Sequence, residues 1–229
     1  MQDAPNEEKQ RFSVKEHLVD TTSALTQANP LFAALEVGAY GLSSAASLKA
    51  RAGVGLTSYA GLNLLFAQGR DVSQKVFGIN KNTSETTHLV HDTAYIAAMN
   101  AIITPPLYSI AAHLSGETID PETLLLATVT NAVVGGVNGP LIGYAFDIGR
   151  DLMGIKECDR KFYPEAIKRQ SPGVKKAIFA GAVATSCALV GGIYAAAPNG
   201  APLETIVEHS TSIEQSAPEP PVELYFAEN

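Results

Sequence analysis

Three carboxylates stand inside or at the edge of long apolar stretches: Asp20, Glu36 and Asp92. A carboxylate withdrawn from water is costly to ionise, so it takes a cationic partner or exchanges a proton at an accessible pH. The three are therefore the candidate proton-coupling groups. Asp20 and Asp92 also have a plainer reading, as helix-terminal anions beside unpaired backbone N–H groups. Glu36 has one too, at the outer interface, if its helix stops early. Asp147 and Arg150 are three residues apart on one helical face and are expected to form a structural ion pair. Asn29 precedes Pro30, and Thr104 precedes Pro105 and Pro106. A proline removes a backbone donor and bends its helix, so these side chains mark places where a small polar solute could bind. Asn63, Asn131 and Asn138 add uncharged donors and acceptors. The run GGVNGP at 135–140 is explained equally well by close helix packing on small residues.

Other chemistry is poorly supported. No phosphate-cradling glycine loop and no zinc-ligand cluster is present, so no enzyme signature, no metal site and no cofactor is expected. The five histidines have no metal spacing. A net charge of −7 without a dense basic patch gives no reason to expect nucleic acid as a partner. Cys158 and Cys187 carry no framework spacing and are expected to be free thiols.

The elements that must hold these residues are long and uncharged. Hydrophobic residues make up 46% of the 229-residue chain and charged residues 17%, against roughly 25% charged in a soluble domain. The uncharged runs are 21–35 with a continuation over 37–48 beyond Glu36, then 53–69, 93–115, 123–146 and 177–203. A helix needs about 20 mainly apolar residues to cross a bilayer, and only 53–69 is near the lower limit. Soluble amphipathic helices carry a charged stripe, whereas here charge is missing over whole spans. The expectation is an all-α membrane protein with five transmembrane helices.

Charge placement orients the chain. With the N-terminus in the cytoplasm, every Lys and Arg except Lys49 and Arg51 falls on the cytoplasmic side. The positive-inside rule then predicts an N-in, C-out protein of the cytoplasmic (inner) membrane, with the lipid bilayer as its solvent. Residues 1–17 read as a cytoplasmic polar tail without a signal-peptide core. Residues 18–154 form the core and 155–173 a basic cytoplasmic connection. The fifth helix covers 174–198. The acidic outer tail, 199–229, is expected to be disordered.

The core contains an internal repeat. "LVDTTSALTQANP" and "LVHDTAYIAAMNAIITPP" open the two copies, and "GRD" closes each, at 69–71 and 149–151. Each copy crosses the membrane twice, so the first four helices form a parallel repeat of two-helix units, a plan found in transporters, channels and structural bundles.

These motifs resemble the small L-alanine exporters of prokaryotic inner membranes over residues 18–154. The resemblance is carried by "VDT", Glu36, "GLSSAASLKAR" and "GRD" in the first half, and by "DTAY", "TPPLY" and "GYAFDIGRDL" in the second. It implies four membrane helices and antiport of L-alanine, or a similar small neutral amino acid, against protons. Matched positions include Tyr108 and Tyr144 beside the acidic and basic residues already named. On that footing Arg51 or Arg70 would meet the substrate carboxylate, and Asn29 or Asn63 would place its amino group. Thr104, Tyr108 and Asn138 complete the substrate-binding candidates. The basic connection, fifth helix and acidic tail depart from the family and weaken the inference of an identical substrate. A homodimer is one way for so small a bundle to enclose a pathway. The competing expectation is a non-transporting membrane protein that organises or anchors a complex.

Overall fold

The computed structural model describes residues 13–39, 43–114 and 120–197, and no strand occurs among them. The expected tails, apart from residues 13–17, lie outside the described residues, as do 40–42 and 115–119. Helix α1, Val14–Ala34, continues into a π-helical turn at Leu35–Ala39. Helix α2, Ser44–Thr57, meets α3, Asn63–Val76, across a kink at Ser58–Leu62, where Gly61 takes a φ of 131°. Then follow α4, Glu85–Leu114, and α5, Pro121–Leu152. A single turn, α6 (Glu165–Lys168), leads to α7, Pro172–Ala196.

Local chemistry sets several of these boundaries. Ser13 caps α1 by accepting the Glu16 amide at 3.3 Å, with the Ser-x-x-Glu spacing of a capping box. Ser84 does the same for the Thr87 amide at 3.2 Å. Both segments that carry Gly-Arg-Asp stop in one way. Gly78 and Gly154 take φ of 67° and 66°, which a side chain would disfavour. The following amides, Ile79 and Ile155, each reach back 2.8 Å to the carbonyls of Gln74 and Arg150, closing a Schellman motif.

The expected resumption of the first helix through 48 does not occur. α1 ends in its π turn, and a new helix begins at Ser44. Lack of charge does not distinguish one helix from two, so the run 37–48 concealed the break. Pro30, Pro105, Pro106 and Pro140 all lie inside helices.

The ends of α3 and α5 meet the starts of α1, α4 and α7, so those three begin at one end of the bundle, and α1 and α7 pack side by side in parallel. Every described Lys and Arg except Lys49 and Arg51 lies toward that end, called here the basic end. α4 and α5 form the most extensive contact. Gly135, Gly136, Gly139 and Gly143 turn one face of α5 against Asn100, Ala97, Asp92 and Thr93 of α4. This small-residue face lets the two backbones approach closely.

The partition of side chains is the reverse of that in a water-soluble bundle. Arg70 and Arg150 are the largest fully buried side chains, while Leu126, Val129, Val133 and Val137 of α5 remain exposed. Two helices, Leu124–Leu152 and Pro172–Ala196, are long and apolar enough to cross a membrane. A soluble core helix passing that test would be mostly buried, yet only 22% and 6% of their apolar windows are covered by the protein.

Glycine packing generates the first prediction. A Cβ on Gly139 would stand 2.5 Å from the Asp92 carbonyl oxygen. Gly139→Ala is expected to destabilise the bundle by about 1–3 kcal/mol, read as a lower melting temperature in detergent. Gly191→Ala, where nothing lies within 4 Å, is expected to leave it unchanged.

Candidate functional site: two buried charge clusters

At the basic end the helices bring together two arginines and the carboxylates they need. Arg70, from the last turns of α3, donates to Asp92 of α4 through Nε at 2.7 Å and Nη2 at 3.1 Å. Its outer edge also grips Asp147 of α5, at 3.1 and 2.9 Å. Arg150 of α5 donates to Asp20 of α1 through Nε and Nη2, both at 2.7 Å, and to Asp71 through Nη1 at 2.7 Å. Both guanidinium groups and the carboxyls of Asp20 and Asp92 are shielded to within 1% of full burial. Such forked pairs satisfy several donors at once, which is the condition under which a buried ion pair is tolerated.

The expected pairing of Asp147 with Arg150 is corrected here. Asp147 takes Arg70 and Arg160, and Arg150 takes Asp20, Asp71 and, at 3.5 Å, Glu16. The three-residue spacing places the two on one helical face, but a guanidinium reaches well past its own helix. Facing helices offer each residue a buried partner that would otherwise be left uncompensated.

Arg160 extends the cluster from the connection after α5. It bonds Glu85 at 2.9 Å, Asp92 at 3.0 Å and Asp147 at 3.1 Å, and its Cζ lies 4.1 Å from the centre of the Tyr144 ring. Asp151 is held by Tyr163 at 2.7 Å and by Lys175 of α7 at 2.8 Å. Outside the helical spans, burial pushes the Cys158 thiol up to about 11, which leaves it protonated and unreactive at neutral pH. Burial also pushes Glu85 upward. The Lys161 amide, the Tyr144 hydroxyl and the Arg160 guanidinium outweigh it and hold Glu85 below its usual value. A cavity of about 490 Å³ opens beside this cluster. Asp147, Arg150 and Arg160 reach its wall, together with Lys156, Lys161 and Glu157.

The second cluster lies at the opposite end. Glu36, in the π turn that ends α1, is 7% exposed. It pairs with Arg51 of α2 and accepts the Ser47 hydroxyl at 2.6 Å. Tyr194 of α7 bonds Ser47 at 2.9 Å, and Arg51 sits 5.1 Å above the Phe32 ring.

The three proton-coupling candidates therefore do not meet: Asp20 and Asp92 belong to the basic end, Glu36 to the other. The substrate-binding candidates are also dispersed. Arg51 and Arg70 each belong to one charge cluster. Asn138 exchanges two amide hydrogen bonds with Gln27 of α1, at 2.8 and 3.2 Å. Asn131 reaches both Thr104 and Tyr108 at 3.4 Å. Asn29 Oδ1 and Asn63 Nδ2 are buried without a hydrogen-bond partner. Asp71, Glu85, Asp151, Arg160 and Tyr194 were not singled out from the sequence. Only Asp71 and Asp151 carried a signal, as the acids of the repeated Gly-Arg-Asp. No family model, no curated protein and no solved structure matches the chain. The resemblance to the alanine exporters rests on its quoted motifs alone.

Two predictions follow from these contacts. Asp20→Ala removes the forked partner of Arg150 but leaves Asp71 at 2.7 Å, and is expected to cost about 3 kcal/mol, while Asp20→Ala with Arg150→Ala recovers part of it. A double-mutant cycle on detergent melts reads the coupling. For Glu85 the folded pKa lies below the ordinary 4.5. Its stabilisation is complete above that pH and fades as pH falls through the depressed value. The melting-temperature gap between parent and Glu85→Gln should be widest near neutral pH and close below pH 4.5.

Proposed function

We propose that this chain is a secondary exporter of L-alanine or a similar small neutral amino acid, driven by antiport of protons across the cytoplasmic membrane. In this reading α1, α2 with α3, α4, α5 and α7 are five membrane spans. The basic end faces the cytoplasm, as the positive-inside rule requires. The first four spans are two copies of a two-helix unit in parallel orientation.

The observation that carries the proposal is the crossing of the buried pairs. Arg70 of the first unit holds Asp92 of the second, and Arg150 of the second holds Asp20 of the first. The packing is crossed in the same way: Gly69 lies against Tyr95 and Gly149 against Ser23. Ionisable groups buried in membrane segments are functional candidates by default. Reciprocal charge pairs between repeats are a joint that closes one end of a bundle and releases it when a carboxylate is protonated. The cavity beside the joint carries charge of both signs, which suits a zwitterion arriving from the cytoplasm. Glu36, at the opposite end, is placed to take an external proton.

One observation favours the competing reading. Asp20, Glu36 and Asp92 all have cationic partners and none lines the cavity at the basic end, as they would in a bundle that only scaffolds other membrane proteins.

Flux of labelled L-alanine in proteoliposomes separates the two. An imposed pH gradient is expected to drive alanine movement in the parent. Asp92→Asn and Glu36→Gln are each expected to reduce it by about 100-fold, on the order of a lost proton-transfer group. Correctly inserted parent protein that moves neither alanine nor other small neutral amino acids would sink the exporter reading and leave the scaffold.

A further inference from the structure

The fifth helix lies beyond the repeat and has no assigned part in the exporter reading, yet it reaches the Glu36 cluster. Tyr194 stands in the last turn of α7, partly exposed, and its hydroxyl lies 2.9 Å from Ser47 Oγ. Ser47 is fully buried and donates to Glu36 Oε2 at 2.6 Å. A hydroxyl has one proton to donate. Ser47 spends its proton on Glu36, so Tyr194 must be the donor to Ser47. The hydrogen bonds therefore point one way, from the partly exposed phenol through the serine to the carboxylate.

We infer that Tyr194 and Ser47 form a proton relay that loads and unloads Glu36. This inference rests on the reading of Glu36 as the group that takes the external proton. In the loading step Ser47 gives its proton to Glu36 and takes the Tyr194 proton, while Tyr194 takes one from water at the helix end. One O–H bond breaks and one forms at each hydroxyl, so the net change is one proton moved from water to Glu36. Afterwards the chain points outward, and unloading runs it backwards. Among the described residues, the other ionisable group that faces Glu36 is Arg51 of α2. Arg51 pairs with the carboxylate on the side away from Ser47, through Glu36 Oε1. Ser44 fixes the α7 end of the relay by donating to the Tyr194 carbonyl at 3.3 Å.

The relay has two independent readouts. A downward pH jump on purified protein, followed by the infrared band of protonated Glu36, needs no solute. Glu36→Gln assigns the band. Tyr194→Phe and Ser47→Ala are expected to slow its appearance about tenfold or more, and Ser47→Thr, which keeps the hydroxyl, to restore it. In liposomes the same two variants should lose gradient-driven alanine flux by about tenfold. Alanine–alanine counterflow, which needs no net proton movement, should stay at the parental level. An unchanged protonation rate in Tyr194→Phe overturns the relay whatever the flux. Counterflow lost together with driven flux overturns it too, because α7 would then be only a structural prop. A slowed band in a parent that moves no alanine would uphold the relay and sink the exporter reading instead.

Discussion

Charge without water is the constraint on which this bundle depends. Two guanidinium groups and two carboxylates are at most 1% exposed, and each would be costly to bury alone. Their mutual neutralisation fixes which helices may be neighbours. Arg70 needs α4 and α5 on its far side, and Arg150 needs α1 and α3. The hydrophobic effect cannot supply this specificity, because the outward faces of α5 and α7 are as apolar as a lipid tail. Within such surroundings, shape and charge pairing choose the partner, and the glycine face of α5 supplies the shape.

The two ends use the same chemistry differently. At the basic end each guanidinium spans more than one helix, and the connection after α5 folds back to add Arg160. The result is an extended network in which Asp92 and Asp147 each draw on both Arg70 and Arg160. At the other end Glu36 has one guanidinium and one hydroxyl. The second cluster is therefore the sparser of the two.

Much of the helical architecture was legible in the sequence, because long runs without charge have few ways to satisfy their backbone except as helices. The break between α1 and α2 was not, since lack of charge does not distinguish one helix from two. In the site, the importance of Asp20, Asp92, Arg70 and Arg150 could be read from repeated positions, but not who holds whom. The local rule paired Asp147 with Arg150, and tertiary reach overrode it. Arg160 was hidden more thoroughly. Its role exists only because residues 153–163 return to the end of the bundle, and no spacing within the chain encodes that return.

The glycine face has a further consequence. Four positions of α5 leave no clearance against α4, so those two helices cannot slide or twist past each other without collision. They behave as one stiff plank. α1 and α7 meet α5 at fewer places, with Lys175 tethering α7 to Asp151 of α5 at one end and Tyr194 tethering it to Ser47 of α2 at the other. If the bundle changes shape, its hinge line must run beside the plank and not through it. The strain would then gather at the two breaks in the helices: the π-helical turn that ends α1 and the kink at Gly61 that joins α2 to α3.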